Sequence, residues 1–235
     1  MIGIDELLYD LDFRLNKIAT GRHQGIAVED KIIAINNAQL ILLKRKISQN
    51  NVYQAGLDSF LKRYQDLQQF IVTNEEVHLR KSENNIFTAD LTKKPNLLLY
   101  IKSWVLANKG DCKDAVIDLT LIPHADVRQW LNNTELCPSF EYNESFCCIS
   151  SDTLEVYTDG SFDVTKAFLT YLRYPIAVDA TGYIHFDGRE STDINCELPA
   201  FLKDELLDIA TIEISIPTEN LSATELTNQR IKTNE

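Results

Sequence analysis

Three carboxylates crowd one short stretch of this chain: Asp187, Glu190 and Asp193, in the run FDGRESTD. Converging oxygens can hold a divalent ion, and Mg²⁺ beside a water would serve a hydrolase or nuclease. The spacing favours a plainer role. It lacks the alternate-residue ligands of a calcium loop, and Arg189 sits in its middle, so a solvated hairpin loop is the expected state. Asp10 and Asp12 form a D-x-D pair, and Asp159 and Asp163 frame a D-G-S-F-D run that a turn explains. His23, His78, His124 and His185 are scattered, with neither an H-x-x-x-H nor an H-E-x-x-H pair. Cys147 and Cys148 are adjacent, and on a strand their side chains point to opposite faces. The five cysteines contain no C-x-x-C pair, so free thiols are expected. No Walker A, nucleophile elbow or dinucleotide fingerprint occurs. We therefore expect no catalytic residue, no cofactor and no metal.

Composition narrows the function classes further. Of the 235 residues, 44% are apolar, enough to build a core. The formal net charge is −12, and it is unevenly placed. Residues 1–70 hold nine Lys/Arg against eight Asp/Glu, whereas residues 71–235 hold fourteen against twenty-seven. A protein that grips nucleic acid needs clustered cations to displace counterions. The one compact basic triplet, Lys44-Arg45-Lys46, suits the C-terminus of a helix through the helix dipole. The N-terminus shows no basic segment followed by an apolar one, and LILL at 40–43 is far too short to span a bilayer. No export and no membrane partner are expected.

The elements that would position these residues follow from periodicity. Ile4, Leu7, Leu8, Leu11, Leu15 and Ile18 make a helical stripe that Gly21 would stop. A second helix is predicted from about Val28 to Ile47, and a third from after Asn50-Asn51 to about Phe70. From Ile71 the period becomes alternating. Strands are predicted at 77–80, 97–107, 115–121, 146–149, 154–157, 164–173 and 183–186, with a short helix within 123–131. Asp159-Gly160 is the strongest turn signal. A closing helix from about Pro199 to Ile214 would put Leu202, Leu206 and Ile209 on one side. The expected fold is α+β: an N-terminal three-helix bundle plus the C-terminal helix, with a β-rich, sandwich-like lobe inserted between them. The expected domains are 1–71 completed by 198–216, the lobe 72–197, and a flexible arm 217–235.

Two stretches carry a family resemblance. One is a strand ending in L-x-Y-L-R-x-P (Leu169 to Pro175), followed by a helix opening E-L-P-x-x-L-x-x-E (Glu197 to Glu205). The other is the N-terminal LDFRLNKIATG and IAVEDKIIAINNAQLILLKR, with Asn16, Lys17, Gly21, Asn37 and Ala38 at the matching positions, and LQQFIV at 67–72. Together they resemble the neck ring proteins, or head–tail adaptors, of crAss-like and related tailed phages of Bacteroidetes hosts. The likeness covers roughly residues 5–72 and 145–213. Ala27-Val28 stand where the family usually has a proline.

The resemblance implies a non-enzymatic virion protein: a twelve-subunit ring between portal and tail, assembled in the bacterial host cytoplasm, with DNA passing transiently and without sequence preference through its lumen. Its partners would be copies of itself, the portal protein and neighbouring ring or tail proteins. Interface candidates are Arg173 and Pro175, which end the strand at the lobe junction, and Pro217, Leu221, Leu226 and Ile231 in the arm. Two other readings stay open. One is a metal-dependent hydrolase or nuclease using the acidic loop; the other is a glycan-binding surface module with an exposed aromatic patch.

Overall fold

The structure is a computed structural model that describes residues 1–18, 26–47, 67–83, 85–92, 96–150 and 152–215. The predicted third helix lies almost wholly outside the described residues, as do Gly21, His23 and the arm candidates Pro217, Leu221, Leu226 and Ile231. The described α-helices are α1 (Ile4–Ile18), α2 (Val28–Ile47), α3 (Val127–Asn132) and α4 (Lys203–Ser215). The strands are β1 (Ile71–Val77), β2 (Leu79–Glu83), β3 (Ile86–Asp90), β4 (Leu97–Lys109), β5 (Cys112–Leu121), β6 (Glu144–Ser150), β7 (Thr153–Tyr157) and β8 (Asp163–Arg173). They group into two compact units: Met1–Gln68 with Pro175–Glu235, and Gln69–Tyr174.

In the first unit, α1 and α2 both pack on α4. Acidic first turns on all three helices and the basic last turn of α2 follow the helix dipole. The organising element is α4, which buries Leu206 through Ile212 together with Ile214 and Ser215. Its buried polar groups are satisfied locally. Thr211 and Ser215 donate to the carbonyls of Leu207 and Thr211, each at 2.7 Å, and Asp208 receives the Arg14 guanidinium from α1. Arg14 also binds Asp204, while Lys203 reaches back to Glu6 and Asp10. Those carboxylates, Asp10 first, push the Lys203 ammonium pKa upward. Lys46 pairs with Glu205 at 3.0 Å, so the last turn of α2 meets the first turn of α4, and α4 runs back along α2.

The second unit is one eight-stranded sheet, ordered β1-β8-β4-β5-β6-β7-β3-β2. All neighbours are antiparallel except β5 and β6, which the segment containing α3 joins in parallel. One apolar cluster draws on Val77 of β1, Ile117 of β5, Leu154 of β7 and Phe87 of β3. Eight flat strands would spread over about 34 Å, so a single cluster spanning them requires the sheet to curl. Lys81 of β2 pairs with Asp163 of β8 at 2.8 Å, in keeping with that curl. On the other face, α3 covers Phe146, Cys148 and Tyr157.

This architecture corrects the sequence expectation. The strands form one curled mixed sheet, not a sandwich-like lobe. The helices α1 and α2 pack on the C-terminal helix, α3 packs on the sheet, and they are not arranged as an N-terminal three-helix bundle. Asp159 does make a turn, accepting from the backbone and hydroxyl of Ser161 at 2.7 Å. It is not a hairpin, because β7 pairs with β3 and β6 whereas β8 pairs with β1 and β4. Local turn chemistry is blind to that crossing. Gly160 has φ +81°, and a Cβ there would lie 2.7 Å from Asn85 Oδ1.

Arg173 closes β8. Its guanidinium lies 5.5 Å from the Phe70 ring centroid and donates to the carbonyl oxygens of Tyr174 (3.2 Å) and Gln69 (3.5 Å). It thus ties the end of β8 to the start of β1. Arg173→Ala should lower the urea midpoint by the equivalent of about 1 kcal/mol; an unchanged midpoint would show that these contacts contribute nothing. Arg14→Leu should cost more, roughly 3 kcal/mol, because it removes the cation facing a buried carboxylate. A loss below about 1 kcal/mol in denaturant titration would refute that role.

Candidate functional site

Residues 175–197 follow β8 and belong with the helical unit. They form no regular strand, yet they are fastened along their length. Asn36 on α2 reads the backbone of Val178 twice, donating to its carbonyl at 3.0 Å and accepting from its N–H at 2.8 Å. Ile2 and Cys196 exchange backbone hydrogen bonds at 2.9 and 3.0 Å. Asp179 and Ile194 are bridged, and Glu197 accepts from the Ile176 N–H at 3.0 Å. The predicted strand at 183–186 is reduced to a single bridge, Ile184 to Glu190. Both Ile184 and Phe186 are exposed, so no sheet face exists for them to join.

The fastened segment and the N-terminal half of α2 enclose a cleft of about 540 Å³, lined by Glu29, Ile32, Ile33, Asn36, Val178 and the 179–194 loop. At its edge Asp179 is nearly buried and accepts four hydrogen bonds. They come from Tyr183 Oη (2.6 Å), His185 Nε2 (2.9 Å) and the backbone N–H groups of Ala180 and Thr192 (2.9 Å each). Burial alone would raise the Asp179 carboxyl. The hydrogen bonds, led by that of Tyr183, outweigh burial and hold it down to about 2. Burial and then the Asp179 charge push the Tyr183 phenol upward. The Tyr183 and His185 rings meet edge to face, with centroids 4.9 Å apart.

The acidic residues picked out by spacing have separate work. Asp187 binds Arg189 through its side chain (2.5 Å) and backbone (3.1 Å), and this holds its carboxyl below the usual range. Asp193 accepts from the Thr181 N–H at 2.7 Å. Asp10 and Asp12 are divided between helices, Asp10 to Lys203 and Asp12 to Lys31. Among the described residues, no group of three His, Cys, Asp or Glu side chains is arranged to hold a metal ion. Cys147 and Cys148 do face opposite sides of β6, one in each apolar cluster. Burial raises both thiols, Cys148 to about 11, away from the thiolate that nucleophilic chemistry needs.

Asp179, Tyr183 and Asn36 carried no sequence signal as a set. Only the aromatic and histidine residues beside the D-G-R-E loop hinted at a local cluster. Among the described residues, no helix is long and apolar enough to cross a membrane. No protein-family profile matches this chain, and no curated protein matches it either.

The unfolded Asp179 carboxyl would titrate near 3.9, so on acidification the unfolded state binds its proton first. Its contribution to stability is full above about pH 4 and is lost as the pH falls toward about 2. The stability gap between wild type and Asp179→Asn should therefore shrink from about pH 5 down to about pH 2 in urea titrations. A gap that stays constant over that range would contradict the hydrogen-bonded carboxylate.

Proposed function

We propose that this chain is a structural subunit of a tailed-phage neck, forming a ring with copies of itself between portal and tail. On this reading DNA passes through the ring, and no chemical step is catalysed. The sequence likeness over residues 5–72 and 145–213 supports it, as does the acidic balance. A conduit must let the duplex slide, and net negative charge opposes lasting phosphate contacts.

The observation that carries the proposal is the apolar surface of the helical unit. Tyr9, Ile184, Phe186 and Phe201 all stand in solvent, Phe186 completely. Single exposed apolar residues need no explanation, but Ile184 and Phe186 stand two positions apart on one turn, and we take that pair as the contact surface. Phe186 sits at a tight turn in which the Gly188 N–H bonds the His185 carbonyl at 2.8 Å. It projects there as a knob for a neighbouring copy or a stacked ring protein.

Light scattering coupled to size exclusion tests this directly. The purified chain mixed with its portal protein should elute at a multi-subunit mass. Ile184→Ser with Phe186→Ser should reduce that species severalfold and leave the circular-dichroism melt unchanged. A monomeric mass at every concentration, with and without portal, would overturn the reading.

A further inference from the structure

The cleft of the helical unit has two kinds of wall. Ile32, Ile33 and Val178 are apolar, whereas Glu29, Glu190 and the ionised Asp179 supply negative charge. Asp187 is already engaged with Arg189. A fitting occupant brings an aliphatic side chain flanked by cations, and about 540 Å³ accommodates a few side chains of a peptide.

The chain carries such a segment beyond α4. Within residues 216–235 the only cations are Arg230 and Lys232, and Ile231 lies between them. The connection from Ser215 to Arg230 is residues 216–229, which can span at most about 50 Å. Since α4 runs back along α2 from the Lys46–Glu205 pair, it ends beside the half of α2 that carries Glu29 and Ile33. A segment tethered this close has an effective concentration on the order of millimolar. At micromolar protein it outcompetes the same segment from a second copy.

We propose that the cleft is a receptor for the chain's own C-terminal segment. Ile231 packs on the Ile33 wall, and Arg230 and Lys232 face Glu29 and Glu190. The contact is made within one subunit and does not depend on the ring reading, so either can fail alone.

Cross-linking in the full chain tests it. Ile33→Cys and Ile231→Cys are combined with Cys112→Ser and Cys137→Ser, which leaves only the three buried native thiols. On mild oxidation at low micromolar protein, intact mass and non-reducing gels should show a disulfide within single chains. It should form severalfold faster than in a control with Ser222→Cys in place of Ile231→Cys. Glu29→Lys with Glu190→Lys should slow it about fivefold. A rate no faster than the control, no response to charge reversal, or bridges only between copies would overturn the proposal. Phe186→Cys in place of Ile33→Cys repeats the measurement from the other wall without altering α2.

Discussion

A helix buried on every side constrains the helical unit more than any other feature. From Leu206 onward α4 buries every residue except Glu213. Each fully buried leucine or isoleucine contributes about 1.5–3 kcal/mol only if something covers it. The cover includes α1 and α2, which precede α4 by more than 150 residues. Burial all round also takes Asp208 out of water, and a buried carboxylate is tolerable only when paired. Arg14 supplies that cation from α1. The unit is therefore complete only when both ends of the described chain have met.

The segment 175–197 inherits its order from that helical frame. With no regular strand of its own, its backbone polar groups need other partners. Asn36, Asp179, Asp193 and Glu197 supply them. Asp187 and Asp193, two of the three carboxylates that looked like metal ligands, thus serve as loop clamps, and the cleft is a by-product of that clamping. Its apolar wall combines Ile32 and Ile33 of α2 with Val178, and its charge comes from Glu29, Glu190 and the loop clamp Asp179.

Much of the local structure was legible in the sequence, and the arrangement was not. The second helix was predicted at its observed limits, because the apolar spacing and the charged ends both mark it. Most strands were found by alternation, and the opposite facing of Cys147 and Cys148 followed from the pleat. The pairing of strands was lost because it depends on contacts distant in the sequence. Asp159-Gly160 has hairpin chemistry, but the chain uses it to leave β7 for a strand that is not its neighbour. The sandwich-like lobe failed for the same reason, since alternation cannot tell two facing sheets from one that curls. The strand predicted at 183–186 failed because alternation without a face to bury is no strand. In the cleft the acidic cluster was visible, but its partners were not. Arg189 is two residues from Asp187, whereas Asn36 lies 142 positions from Val178.

Ring assembly would join these features. A neck subunit must present apolar surface to its neighbours and remain unattractive to the DNA that passes. This chain combines exposed Phe186, Ile184 and Phe201 with a net charge of −12. The most direct measurement is the copy number of the chain in purified virions of a phage that encodes it, by quantitative mass spectrometry against the portal protein. If the chain is a neck ring subunit, it is present at about one copy per portal subunit and stays with the neck when capsids are disrupted. Its absence from the particles would contradict that account.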